Sequence, residues 1–261
     1  MEQATSAEQT ITIERHERER GTVVVLTMAD GENRWNTTFT RAFDAALDEV
    51  EATAGPATLV TTSANEKFFS NGLDLKWVTS RGEHPGGDRK VFNAEVMALF
   101  ARLITFPLPT VSAVNGHCFG AGFMIALCHD VRLMREDRGF LCANELELGF
   151  AIPEPELSLF HHKLPPPAFH QTVVLAKRWN GPEALAAGVV QQVEAQDRLL
   201  PAAMATAEDL LRVAGNREIT AWTKEHLYGE NAVLNDPHGP AYILRNQQDY
   251  ASGPGQIPSA P

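Results

Sequence analysis

Cysteine is scarce in this chain: three among 261 residues, Cys118, Cys128 and Cys142. The number is odd and no two stand as Cys-x-x-Cys, which argues against a disulfide framework and for reduced thiols. Positive charge is also in short supply. Lys and Arg total 22 against 33 Asp and Glu, a formal charge of −11. So acidic a field repels nucleic acid and anionic lipid, and neither is expected as a partner. No apolar run approaches the ~20 residues of a membrane span. The opening Met1-Glu2-Gln3-Ala4-Thr5 has neither the basic nor the apolar region of a secretory signal. The closing Pro258-Ser259-Ala260-Pro261 is not a peroxisomal tripeptide. A cytoplasmic protein is the expectation.

Certain motifs are missing too. Without a Gly-x-Ser-x-Gly elbow, a serine hydrolase has no support. Without Gly-x-Gly-x-x-Gly after the first strand, neither has a dinucleotide fold. His161 and His162 are adjacent and do not share a helix face, while His117 and His129 lack partners at metal spacing, so no metal is expected.

What remains is an ordinary globular composition, 44% hydrophobic and 21% charged, in a chain long enough for one large domain or one domain with an appendage. Residues 10–14 alternate and read as a strand, residues 15–20 as a charged turn, and residues 22–27 as a buried β-branched strand. Asn36 is placed to cap a helix whose apolar face is Phe39, Phe43, Leu47 and Val50. Strands follow at residues 58–62 and 110–114, with a helix at 91–104 between them that Pro107 and Pro109 terminate. Residues 121–128 form a helix apolar on all sides, which must be buried. Short strands follow at residues 131–134 and 140–142. A strand-to-helix pattern thus recurs from Thr22, Thr58 and Thr110. It fits an α/β core built as a right-handed spiral of ββα turns with parallel strands. Beyond Pro155 the pattern is helical apart from residues 189–193. The divisions expected are a spiral core at 10–195, a C-terminal helical region at 196–250, and disordered tails at 1–9 and 251–261. The C-terminal helices must find a surface to cover, a neighbouring subunit being one candidate.

Two glycine-bearing stretches sit at strand-to-helix junctions: Phe68-Phe69-Ser70-Asn71-Gly72-Leu73-Asp74-Leu75 and Asn115-Gly116-His117-Cys118-Phe119-Gly120-Ala121-Gly122. Such junctions leave backbone N–H groups unpaired and let a ligand atom approach closely. Leu73 N–H is the natural donor of the first stretch, and the helix starting at Ala121 supplies that of the second. Two donors converging on one oxygen would form an oxyanion hole, each worth ~3–4 kcal/mol of barrier. Asp74 reads better as a residue that ties down loop N–H groups than as a catalytic acid. Glu145 lies among apolar neighbours in Ala143-Asn144-Glu145-Leu146-Glu147-Leu148-Gly149, so burial should raise its pKa and poise it as a base. Position alone does not separate it from Glu147. Glu154 and Glu156 lie in a proline-interrupted stretch, and neither is expected to be the working base.

Three of these segments together resemble the crotonase superfamily, the enoyl-CoA hydratases and isomerases. Phe69-Ser70-Asn71-Gly72-Leu73-Asp74-Leu75 resembles its first oxyanion stretch, Pro109 through Gly122 its second, and Asn144-Glu145-Leu146-Glu147-Leu148-Gly149 its Glu-x-x-x-Gly segment. The resemblance implies a crotonase-like spiral with a C-terminal helical trimerisation region, a homotrimer or dimer of trimers, and an acyl-CoA thioester substrate. Coenzyme A is then part of the substrate and no separate cofactor is implied. The oxyanion hole maps to Leu73 and Ala121 and the catalytic base to Glu145. Arg34 and Trp35 match the loop that cradles CoA. Ser70, Asn71, Gly72, Asp74 and Leu75 match the substrate-binding part of the first stretch, and His117, Gly120, Gly122 and Met124 that of the second.

One departure selects a branch. The family's hydratases carry a further glutamate where this chain has Met124, and methionine cannot activate water. A single carboxylate suffices to move a double bond, so the resemblance is nearest to the Δ3-Δ2-enoyl-CoA isomerases. Another single-base reaction on an acyl-CoA, or a non-catalytic acyl-CoA binder, are the alternatives. Ile152-Pro153-Glu154-Pro155-Glu156 replaces the paired glycines that many members have there, which alters the wall of the acyl pocket.

Overall fold

The computed structural model describes residues 10–80, 89–231, 233–235, 238–251 and 253. The expected N-terminal tail and most of the C-terminal one lie outside the described residues.

β1 (Ile11–Arg18) and β2 (Gly21–Met28) form an antiparallel hairpin in which Arg18 pairs with Gly21. The turn is therefore only Glu19 and Arg20. The charged residues from Arg15 to Arg18, read from sequence as turn, extend the strand instead. β1 is the edge of its sheet, where charged side chains reach water and discourage pairing with other chains. α1 (Thr37–Glu51) starts where expected: Asn36 accepts a hydrogen bond from Phe39 N at 3.0 Å. Phe39, Phe43, Leu47 and Val50 are fully buried.

After α1 come β3 (Ala57–Ser63), β4 (Phe68–Ser70), α2 (Leu75–Thr79) and α3 (Arg89–Ile104). The next unit is β5 (Thr110–Val114), β6 (His117–Phe119) and α4 (Ala121–Cys128), and then β7 (Val131–Arg135) and β8 (Leu141–Cys142) lead to α5 (Glu154–Lys163). Each unit gives its first strand to a large sheet and its second to a small one. The large sheet has the order β1-β2-β3-β5-β7-β9, closed by β9 (Gln192–Glu194), and is parallel from β2 onward. The small sheet is β4-β6-β8, also parallel. The spiral of ββα turns is thus present, with a hairpin in its first unit.

Alternation along β2 divides the core in two. Val24, Leu26 and Met28 face the layer of α1, α3 and α4. Val23 and Val25 face the opposite way, onto Leu199, Ala203, Ala207 and Leu211. The last four belong to or directly follow α8 (Gln196–Leu210), so this C-terminal helix covers the chain's own sheet. α6 (Pro166–Val173), α7 (Gly181–Ala186), α9 (Arg217–Tyr228) and α10 (Pro240–Arg245) complete the helices among the described residues. α10 packs on α3 and α5. No described helix is long and apolar enough to cross a membrane.

Candidate active site

Both glycine stretches are held by bonds that, among the described residues, leave the N–H groups of Leu73 and Ala121 free. In the first, Ser70 Oγ donates to Asn33 O at 2.7 Å and accepts from Trp35 Nε1 at 3.1 Å. Trp35 N donates to Gly72 O at 2.9 Å, and Asp74 N donates to Trp35 O at 2.8 Å. The backbone is therefore clamped on either side of Leu73, and Asp74 caps α2 by accepting from Trp77 N. In the second, Gly120 takes φ +50°, ψ −121°, a conformation suited to glycine, and Gly120 N donates to Cys142 O at 2.9 Å. Ala121 then opens α4, in which every residue is buried. Among the described residues, neither Leu73 N–H nor Ala121 N–H has a partner.

The two stretches are in contact. A methyl group built on Gly72 would stand 2.8 Å from Phe119 O and 3.7 Å from Ala121 N. One built on Gly120 would stand 3.2 Å from Glu145 Oε1. Both stretches and the glutamate therefore meet at one point. Glu145 is held by a 3-10 turn (Leu146–Leu148) that Gly149 ends at φ +85°, and its carbonyl accepts from Leu148 N and Phe150 N. The side chain is 6% exposed, and Oε2 is sealed from solvent with no partner. Loss of hydration pushes its pKa up to about 7, opposed only by a bond from its own backbone. Glu147, the rival, points elsewhere: it pairs with Arg178 at 2.6 Å on the surface.

This meeting point opens into a cavity of about 430 Å³, within the range of small-molecule sites. Leu73, Gly120, Ala121, Met124 and Glu145 are among the residues that line it. Val96, Met97 and Phe100 of α3 supply apolar lining, and Arg34 and Arg89 line it as well.

The chain matches the family model described as Enoyl-CoA hydratase/isomerase over residues 18–243. It belongs to the enoyl-CoA hydratase/isomerase family. It is 30% identical to a peroxisomal enoyl-CoA delta isomerase 2 of Arabidopsis thaliana over 217 residues, 81% of this chain and 90% of that one. It is 33% identical to a carnitinyl-CoA dehydratase of Salmonella enteritidis over 207 residues, 75% of this chain and 76% of that one. The fold is that of the human mitochondrial Δ3-Δ2-enoyl-CoA isomerase structure, with TM-score 0.75 at 23% identity, covering 92% of this chain and 88% of that one. The spiral of ββα turns is accordingly the crotonase fold.

In this member of the enoyl-CoA hydratase/isomerase family, Arg34, Asn71, Gly72, Leu75 and Met124 reach the cavity along with the two donors, Gly120 and Glu145. Five residues expected along the substrate do not line it. Trp35 is fully buried in an aromatic cluster with Phe39, Phe43 and Phe100. Ser70 is its buried hydrogen-bond partner, and Asp74 is a helix cap. His117 lies among the rings of Phe68, Phe119 and Phe140, where burial and then the charges of Lys67, Arg138 and Arg178 lower its pKa. Gly122 packs on Ser70. All five build the scaffold of the donor stretches. Arg34 is tied to Glu32 at 2.7 Å and remains partly exposed.

The sequence reading missed several cavity residues. Asn93 and Met97 fall on the helix expected at residues 91–104, whose sequence singles out neither, and the fold places both at the cavity. Tyr250 and Ala251 were assigned to or beside a loose tail. Ala251 is instead tied to α5 by two reciprocal bonds, Glu154 N to Ala251 O and Ala251 N to Glu154 Oε2, each 3.0 Å. Glu156 is the largest departure. The Pro153-Glu154-Pro155-Glu156 stretch is the beginning of α5, with Pro153 as N-cap and Pro155 in the first turn, where a missing N–H is harmless. This turn directs Glu156 to the cavity, with Oε2 sealed and unpartnered. Loss of hydration, opposed by a bond from its own backbone and aided by the charge of Glu145, pushes its pKa up to about 8. No group of three or more His, Cys, Asp or Glu suited to a metal occurs among the described residues.

Proposed function

We propose that the protein shifts the double bond of a 3-enoyl-CoA to give the 2-trans-enoyl-CoA. The observation that carries this reading is the buried carboxyl of Glu145 beside the two free N–H groups of Leu73 and Ala121. The thioester oxygen accepts both hydrogen bonds. The Glu145 carboxylate removes a proton from C2, and the electron pair of that C–H bond delocalises onto the thioester oxygen as a dienolate. In the one-carboxyl route the Glu145 O–H bond then breaks as that proton bonds to C4, the double bond settles between C2 and C3, and the carboxylate is restored. Each backbone donor contributes ~3–4 kcal/mol by strengthening as the oxygen gains charge. The coenzyme A part of the substrate needs no further cofactor, and Arg34 and Arg89 are suited to its phosphates. Met124 offers no second acid–base group on α4, which favours isomerisation over hydration. The resemblance to proteins named enoyl-CoA delta isomerases supports the same choice.

Purified protein should convert a 3-enoyl-CoA to its conjugated isomer, followed by absorbance. Glu145→Gln is expected to lower kcat by ~10²–10⁴-fold while acyl-CoA binding by calorimetry changes little. Near-normal turnover by Glu145→Gln, or rapid hydration of 2-enoyl-CoA without isomerisation by the unaltered protein, would contradict the proposal.

The assembly belongs to the same reading: a homotrimer or a dimer of trimers. Ile219 and Trp222 on α9 are each 62% exposed, a cost in water that an interface removes. Light scattering should give three or six times the chain mass. A monomer at working concentration would refute this.

A further inference from the structure

Glu156 is a half-buried acid whose inner oxygen is sealed from solvent, without an evident structural purpose. Its Oε2 has no surface and no hydrogen-bond partner, and among the described residues it forms no ion pair. A carboxyl so placed costs stability that leucine at the same position would not. It shares its cavity with Glu145 and both oxyanion donors, and it is near enough to Glu145 to be influenced by that charge. It comes from the first turn of α5, whereas Glu145 stands beside Gly120 of the second donor stretch. A thioester held at the donors presents C2 to Glu145 and runs on through the cavity that Glu156 lines.

We infer that Glu156 is a second catalytic carboxyl, the acid that protonates C4 after Glu145 has deprotonated C2. The inference rests on the isomerase reading above. Glu145 enters as carboxylate and Glu156 as carboxylic acid. The C2–H bond breaks, its proton goes to Glu145, and its electrons form the dienolate. The O–H bond of Glu156 then breaks as the new C4–H bond forms, leaving Glu156 ionised. After release, the proton on Glu145 passes to Glu156, directly or through water entering the emptied cavity. Both groups are restored, and no oxidant or co-reactant is consumed. Raised pKa values in both carboxyls suit this division, because the group more resistant to ionisation is the one assigned as acid.

Isotope transfer in single turnovers distinguishes this from a one-carboxyl route. A 3-enoyl-CoA carrying deuterium at C2 is mixed with excess full-length protein in ordinary water, and the product is read by mass spectrometry. With Glu156 as the acid, C4 receives hydrogen originating from solvent, and carry-over of deuterium from C2 to C4 stays below about a tenth of the product. Glu156→Gln, which keeps the side-chain shape, should turn over ~10²-fold more slowly with KM little changed, and its residual product should show carry-over. Glu156→Leu should behave likewise and remain folded by circular dichroism. Infrared spectra of the carboxyl groups provide a readout independent of turnover: in Glu145→Gln, the titration of Glu156 should move down.

Wild-type product with substantial carry-over, together with normal turnover in both Glu156 variants, overturns the role of Glu156 and leaves the isomerase reading intact. If unaltered protein leaves 3-enoyl-CoA unchanged, the reaction and this role fall together. A Glu156 titration unaffected by Glu145→Gln also overturns the inference, since the two groups would then not share a site.

Discussion

Burial gives the carboxylate of Glu145 the basicity that its proposed work needs. An exposed glutamate, ionised from about pH 4.5 upward, is too weak a base to take a proton from carbon efficiently. Here the loss of hydration at one sealed oxygen moves the pKa up to about 7. Gly120 suits this placement, since it takes φ +50° and a Cβ there would stand a tight 3.2 Å from Oε1. Glu156, pushed up to about 8 by loss of hydration, against a bond from its own backbone, and by the charge of Glu145, stays protonated where Glu145 is already ionising. The sign of the pH dependence follows. kcat/KM should rise as Glu145 loses its proton near pH 7 and fall as Glu156 loses its own near pH 8, giving a narrow bell. The two apparent values belong to the coupled pair rather than to either residue. Steady-state rates from about pH 5 to about pH 10 test this. Glu156→Gln should remove the alkaline limb alone. A profile that keeps rising beyond the second pKa would contradict it.

At the level of elements, the donors owe their position to close packing between α4 and β4. A methyl group on Gly122 would stand 2.5 Å from Ser70 O and 2.8 Å from Ser70 Oγ. Gly122→Ala must therefore push the start of α4 away from the first donor stretch. We expect it to destabilise the fold by ~1–3 kcal/mol and to reduce kcat more than it weakens acyl-CoA binding. Thermal melting and kinetics check both, and wild-type values in each would show that the packing is looser than described. The same elements explain what could be read from the sequence. Asn36 before Phe39, Phe43 and Leu47 announces a capped amphipathic helix, because cap and periodicity are local signals. Residues 121–128, apolar throughout, announce a buried helix behind glycines. Glu156 was hidden because its prolines read as loop. Their role as the opening of α5 depends on where the chain arrives from Gly149, which no local pattern encodes. His117 and Trp35 misled in the opposite direction. They stand within or beside the recognised motifs, yet ring packing uses the first, and the second anchors Ser70. Arg15 and His16 looked like turn residues, but an edge strand accepts charge on the side facing water.

Over the whole molecule, the site has a cost that rises with pH. Glu145 and Glu156 have folded pKa values raised above the ordinary carboxyl value, to about 7 and about 8. The folded state therefore holds protons that the unfolded chain has released, and stability is lost as pH rises toward and through these values. On the acid side His129 acts in reverse. Buried and bonded to Ile125 O and Thr61 Oγ1, it is lowered to about 4, so stability falls as pH drops from the ordinary histidine value toward that point. Lys163, lowered to about 8 by burial and then by Arg132, changes its contribution only at and above that pH. Between about pH 6.5 and about pH 8 the two carboxyls dominate. Denaturant unfolding should therefore show a loss on the order of 2 kcal/mol across that interval. The double variant Glu145→Gln, Glu156→Gln should lose far less and be the more stable protein at the alkaline end, because an amide carries no charge to bury. If wild-type stability is flat or rises across the interval, the two carboxyls are hydrated in solution, and the water-excluding cavity on which the proposed chemistry depends does not exist.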